Sequence, residues 1–337
     1  MIRHGLRAAL VIGLAAGFSG AIAQGLQLGG EAPVYAVLVS AVVVRPDFSR
    51  WPLVLYPLLL VLMGLCLGFG TVVAQLFAGT PDIVLFALVT LVLRCAALLL
   101  PGKLQLVSNL VPLGGVLALL SSDPSWSSWG QELTAMALGL LVGTGTQVLL
   151  APPGTGAIAA SEEPATPDPP PAARLRQGLA SLLFWRKTLL LCLALPIGLA
   201  LGAVTPKYLY FGVLLLLNDS VAATAERVRD RIIGVTLGIA MPLLVFNSFG
   251  LNALSTALVL GGTAALVTAL ELGPYLRTAL ISSAIAFSGY GPLVAWYIPN
   301  RWLDYLMGSL LAMAAALWLP PNATSCCAAP RQGPPAV

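Results

Sequence analysis

The chain alternates apolar runs with short polar or proline-rich breaks, and most of the runs are about as long as a membrane span. A helix needs about 20 apolar residues to cross a hydrocarbon core roughly 30 Å thick. By that measure the pattern predicts helices over 6–24, 52–77, 83–100, 104–120, 133–150, 188–204, 232–249, 251–270, 276–296 and 302–319. Two shorter runs, 33–44 and 208–224, predict short spans, and segments of that length can also be re-entrant. The fold class expected is all-α: a polytopic membrane protein of about twelve transmembrane helices.

Residues 151–184 interrupt the pattern. Seven prolines fall between Pro152 and Pro171, together with Glu162, Glu163 and Asp168. So polar and proline-rich a segment predicts a disordered or extended linker. It divides the chain into a first six-helix unit (1–150), the linker, a second six-helix unit (185–320) and a disordered tail (321–337). The two units echo each other. Gly64 and Gly68 answer Gly234 and Gly238 at an offset of 170 residues, and Gly139 answers Gly308 at 169. Six spans per unit is an even number, so the repeat predicted is parallel, about an axis along the membrane normal.

Charge then orients the chain. With the N-terminus inside and twelve spans threaded, fifteen of the 17 Lys and Arg fall on the inner side, and Lys207 and Arg301 fall outside. That matches the positive-inside bias and predicts both termini and the linker in the cytoplasm. Composition agrees: 58% of residues are hydrophobic and 9% charged, against about 25% charged in soluble domains. The net charge of +4 needs no nucleic-acid partner; the partners expected are the lipid bilayer and small solutes, with assembly into a homo-oligomer left open. Ala21-Ile22-Ala23 resembles a signal-peptidase site. Cleavage there would leave the first unit with five helices, so the expectation is that it is not cut.

His4 is the single histidine. Cys66, Cys95 and Cys192 lie in apolar runs, and Cys326-Cys327 has no partner pair at metal-ligand spacing. No metal site, cofactor or catalytic triad is expected, and no enzyme. The candidate chemistry lies instead in Glu226–Gly238, where Arg227, Arg229 and Arg231 crowd into five residues ahead of an apolar helix. Such a cluster either anchors a cytoplasmic loop or meets an anionic solute. Short or interrupted spans at matching places in two repeats point to a transporter's binding site. Asn218 and Asp219 interrupt the second short run, where a buried carboxylate costs about 2.5–3.5 kcal/mol on insertion scales. If that span ends at Leu217, Asp219 is a counter-ion for the arginines instead. Arg301 and Asp304, three apart at the outer end of the last span, can pair along one helix face. The candidate substrate-binding set is therefore Asn218, Asp219, Arg227, Arg229, Arg231, Arg301 and Asp304.

Arg227-x-Arg229-Asp230-Arg231-x-x-Gly234-x-x-x-Gly238 resembles a signature of the fusaric acid resistance, or aromatic acid exporter, superfamily. Arg301-x-x-Asp304-x-x-x-Gly308 is similar to that family's second recurring pattern, and the short second helix of each unit fits as well. The first unit departs from it, with Tyr56-Pro57 in place of the arginine cluster and Glu132 opposite Arg301. The resemblance implies a bacterial inner-membrane exporter of organic, often aromatic, carboxylic acids, driven by the proton gradient. A passive anion channel on the same scaffold and a non-transporting membrane scaffold are the alternatives. Coupled export needs a titratable group in the pathway, for which Asp219 is the candidate.

Overall fold

The structure, a computed structural model, describes residues 2–45, 47–49, 54–101, 104, 107–121, 123–151, 169–203, 205–218, 220–290 and 294–318, with the backbone alone at 2–4, 246–248, 290, 294–297 and 301. Among them the long elements are all helices: α1 (Ile2–Gly25), α2 (Ala32–Val43), α3 (Leu55–Leu76), α4 (Asp82–Leu98), α5 (Leu110–Leu119), α6 (Trp126–Leu150), α7 (Pro171–Ala180), α8 (Leu182–Ala200), α9 (Lys207–Leu216), α10 (Val221–Phe249), α11 (Ala253–Ala269), α12 (Leu276–Tyr290) and α13 (Val294–Trp318). Local chemistry sets their ends. Ser125 accepts from the Ser128 N–H to start α6, and Asn252 and Ser255 form a reciprocal capping box at α11. Gly202 and Gly250, in left-handed backbone at φ 70° and 64°, follow α8 and α10.

Among the described residues, four helices are long and apolar enough to cross a membrane: α1 from Gly5 onward, α3, α6 and α8. The helices α2, α5, α9 and α11 are apolar but shorter. Long aliphatic side chains point outward, Leu65 at 68%, Leu141 at 73% and Leu149 at 82% exposure. A water-soluble protein seldom leaves so many long aliphatic side chains bare. Among the described residues the chain is all-helical, with helices long and apolar enough to make it a membrane protein.

Several helix boundaries differ from those the apolar runs predict, four of them at candidate residues. The arginine cluster is not a loop: α10 begins at Val221 and carries it in its first third. Ser220 starts the helix by accepting from the Ala223 N–H at 3.1 Å, and the Ala, Glu and Arg that follow are good helix formers. Residues 208–224 are not one span, because α9 stops at Leu216 and Leu217 turns extended. The helix α6 starts at Trp126, ahead of the apolar run predicted over 133–150, so Trp126, Trp129 and Glu132 are helical. Likewise α13 starts at Val294, which places Arg301 and Asp304 two to three turns inside it. Within the expected linker, 152–168 lies outside the described residues, as does the tail from 319. Residues 171–180, however, form α7: Pro171 suits a helix's first turn, and no proline follows it there. Arg174 Nη2 donates to Leu99 O at 3.1 Å, and the Gly178 backbone lies under Leu98, so α7 is fastened to the end of α4.

The two halves of the chain interlock. The helix α1 packs along α11, and α8 along α4; α2 packs on α6, and α9 on α13; α3 packs on α5, and α10 on α12. One core cluster joins Phe86, Val89 and Val111 of α4 and α5 to Leu191, Tyr208 and Leu214 of α8 and α9. A second joins Ile12 and Val37 of α1 and α2 to Leu260, Leu280 and Phe287 of α11 and α12. Gly139 and Gly308 do equivalent work, letting α6 and α13 reach the backbones of α2 and α9: a Cβ would lie 2.6 Å from Ala36 O in the first case and 2.9 Å from Tyr208 O in the second. Gly64 and Gly68 do not match Gly234 and Gly238 in the same way. The first pair faces Leu133 and Trp129 of α6, whereas the second faces Thr278, Ala279 and Ser282 of α12.

Candidate functional site

The helical period sorts the three arginines of α10. Arg227 and Arg231 are four residues apart and share a face, while Arg229 lies off it. Arg229 is 62% exposed and pairs with neighbouring Asp230 at 3.3 Å. It is not brought to the other candidates.

Arg227 and Asn218 form a corner between α9 and α10. The Asn218 amide oxygen, turned toward Arg227, accepts from its Nε at 2.9 Å and Nη2 at 3.3 Å. Arg227 Nη1 also reaches Leu215 O at 3.4 Å, and Lys187 Nζ donates to Leu217 O at 3.2 Å. Two cations therefore cover the carbonyls that the end of α9 leaves open. Asp219 lies outside the described residues.

Arg231 points into the protein. Its Cζ sits 4.9 Å above the Tyr305 ring, and its Nε is buried without a hydrogen-bond partner. Tyr305 in turn lies on Tyr208 of α9, with ring centroids 4.6 Å apart. Trp302 closes one side and donates from Nε1 to Thr236 Oγ1 at 3.1 Å. Together with Ile232, Val235 and Ser309 these side chains enclose about 10 Å³, room for roughly one water. At 1.5 Å per residue Arg231 lies about 15 Å along α10 from Val221. A guanidinium over an aromatic face, with an open donor and apolar walls, is what a carboxylate on an apolar body would meet.

Asp304 is 1% exposed and accepts from the Thr205 N–H at 2.7 Å, pinning the α8–α9 turn against α13. Its neighbour Tyr305 carries the stack under Arg231. Asp304 therefore positions the aromatic wall, and the side chain of Arg301 is outside what the structure describes. Asp304→Ala strands the Thr205 N–H and is expected to lower stability by about 1–3 kcal/mol. Asp304→Asn keeps an acceptor and should cost less. Thermal unfolding in detergent compares them; equal midpoints for the two variants would remove the bond from the account.

Other polar groups on the helices lie outside the candidate substrate-binding set. Arg94 of α4 stacks on Phe184 at 5.0 Å and reaches Thr188 Oγ1 at 3.5 Å, joining the two halves. Lys207 and Glu31 pair at 3.0 Å across the halves, with Tyr35 OH donating to Glu31 at 3.2 Å. Glu132 is 6% exposed in α6. One signal was available for it: it stands two turns before Gly139, on the face that closes against α2.

At the other end of α2 the chain makes a tight loop. Phe48 is fully buried in left-handed backbone at φ 56°, a strained state for an aromatic residue. Gln147 of α6 accepts from the Arg45 N–H at 3.2 Å and donates to Ser49 O at 2.9 Å. Arg45 Nη1 donates to Ser49 Oγ at 2.7 Å, and Ser49 donates from its N–H and hydroxyl to Asp47. Partial burial pushes the Asp47 carboxyl up, but the Ser49 bonds and the Arg45 charge outweigh it and hold the group below its ordinary 3.8. A depressed value means that Asp47 stabilises the loop above the ordinary value and ceases to as the pH falls through the lower folded one. The gap in thermal midpoint between wild type and Asp47→Asn should therefore be constant near neutrality and close below about pH 4. A gap independent of pH would remove Asp47 from the loop's support.

The fold and the site define a helical membrane protein with a half-buried arginine stacked on an aromatic wall. No protein-family model matches the chain, and comparison with curated proteins and with solved structures gives no match.

Proposed function

We propose that this protein is a secondary transporter of the bacterial inner membrane that exports organic, often aromatic, carboxylic acids, coupled to the proton gradient. The observation that carries it is Arg231: a guanidinium well inside α10, stacked on Tyr305, with a buried donor left open. The anion's carboxylate would take that donor, and its apolar body would lie against Tyr305 and Trp302. A cavity of about 10 Å³ is too small for such a solute, so the described conformation is a closed one and loading requires α10 and α13 to part. Because α9 stops at Leu216, Asp219 comes after that helix in the sequence and is proposed as a counter-ion of the arginines, which exchanges the coupled proton when the anion displaces it.

The same proposal includes twelve crossings, as two parallel six-helix repeats with both termini and the linker cytoplasmic. In its favour are the fifteen-to-two division of basic residues, the exchange of partners between α1–α11 and α8–α4, and the matched roles of Gly139 and Gly308. Membership of the aromatic acid exporter superfamily is proposed on the Arg227–Gly238 and Arg301–Gly308 resemblances. The test is efflux of preloaded 4-hydroxybenzoate from proteoliposomes holding the purified chain, at a pH where the acid is ionised. Efflux well above protein-free vesicles, and faster with an imposed pH gradient, is expected. A wild-type rate equal to protein-free vesicles ends the proposal.

A further inference from the structure

A larger cavity, about 360 Å³, lies away from Arg231, at the end of the bundle where α2 finishes and α12 begins. It sits on the seam between the two halves of the chain, since α2 belongs to the first and α12 to the second. Its walls are Val42, Pro274 and Leu276, and its polar groups are Arg45, Asp47 and Arg277. That volume falls within the range of small-molecule sites, roughly 300–1,000 Å³. A lone inorganic ion would leave most of it unfilled.

The charges are arranged for an anion. Arg45 is held in place by Ser49, which Asp47 and Gln147 fix in turn, so this guanidinium is positioned before any ligand arrives. The strained, buried Phe48 shows how firmly the loop is imposed. Asp47 is committed to Ser49 and stays ionised near neutrality. Arg277 is exposed and has no ion pair among the described residues. Two guanidiniums against one carboxylate leave the cavity a net positive charge, beside apolar walls.

From this we infer that the cavity between α2 and α12 binds a small organic anion, an apolar body carrying a carboxylate or phosphate, with Arg45 and Arg277 gripping the anionic group. Because α2 and α12 come from different halves, the ligand bridges the seam. The identity of the ligand as a transported acid rests on the proposed export function; the binding itself does not. For an exporter this would be the loading site on the side where the substrate is collected, ahead of Arg231.

The test is calorimetric binding of 4-hydroxybenzoate to the full chain in a neutral detergent, run beside the vesicle efflux assay. Arg277→Gln removes one charge from an exposed position, and Val42→Phe narrows the cavity without touching charge. Arg176→Gln, on the exposed face of α7, is the matched charge-loss control. Wild type and Arg176→Gln should bind alike, with Arg277→Gln and Val42→Phe at least tenfold weaker. Arg277-dependent binding without wild-type efflux would uphold the site and sink the export function. Binding unchanged in both cavity variants, or absent in wild type, overturns the site, and wild-type efflux would still stand by itself. Retention of phosphatidylglycerol that depends on Arg277, with no binding of the free acid, also overturns it and assigns the cavity to a lipid headgroup.

Discussion

Gly308→Val should deprive the protein of its folded form in detergent. A Cβ at this position would lie 2.9 Å from Tyr208 O and 3.0 Å from Leu209 Cα, which are backbone atoms that no rotamer change can move. Across the contact, a Cβ on Gly212 would lie 2.7 Å from the Gly308 carbonyl carbon, so α9 and α13 meet glycine to glycine. Overpacking a protein interior costs about 1–3 kcal/mol when side chains can adjust. Here the helices must separate, and Tyr208–Tyr305, Asp304–Thr205 and the wall under Arg231 separate with them. Gly145→Val is the control, since nothing lies within 4 Å of its Cβ. The monodisperse fraction after extraction and the thermal midpoint should both fall in Gly308→Val and hold in Gly145→Val. Identical behaviour of the two variants would mean that α9 and α13 do not approach as described.

Arg231→Gln should leave the fold intact and slow acid efflux at least tenfold. Arg231 makes no ion pair among the described residues, and its Nε has no acceptor, so removing the guanidinium strands nothing. What goes is the stacking on Tyr305, about 0.5–2 kcal/mol, and the charge that would face a carboxylate. Arg231→Lys keeps the charge but loses the planar fork and the stack, and should fall between the two. The readout is vesicle efflux normalised to protein recovered as a monodisperse peak. A wild-type rate in Arg231→Gln would leave the guanidinium a packing group and remove the observation on which export rests.

The apolar runs located the helices because a lipid-facing or buried helix must be apolar over its length, and that property is written residue by residue. They misplaced the ends of α6, α10 and α13 for one reason. Hydropathy marks where lipid stops, whereas a helix continues for as long as its residues favour it, and Glu, Arg, Ala and Trp carried these three past the apolar limit. The site was legible in the same partial way. Arg231 stood out only as one of three arginines crowded ahead of an apolar run. Once the cluster is known to be helical, the spacing of Arg227, Arg229 and Arg231 alone separates the exposed arginine from the other two. Tyr208 and Tyr305 could not be found this way, because an aromatic residue in an apolar run reads as packing until the partner helix is placed. The equation of Gly64 and Gly68 with Gly234 and Gly238 failed because glycines four apart permit close packing without naming the neighbour. The cavity beside Arg277 depends on a loop whose shape comes from Gln147, about a hundred residues along the chain, and no local pattern announces that.

The helices α2 and α9 are 12 and 10 residues long, so they span only about 18 and 15 Å. Polar groups gather at both ends of the pair: Glu31 and Lys207 at one, Arg45, Gln147, Lys187 and Arg227 at the other. If water reaches both ends, the membrane voltage falls across little more than half the usual thickness of hydrocarbon. A monovalent anion crossing that waist exchanges about 2.3 kcal/mol with the field for every 100 mV. Its passage would then be electrogenic over a short path, and a valinomycin-clamped potassium gradient would alter the rate even with the pH held equal on both sides.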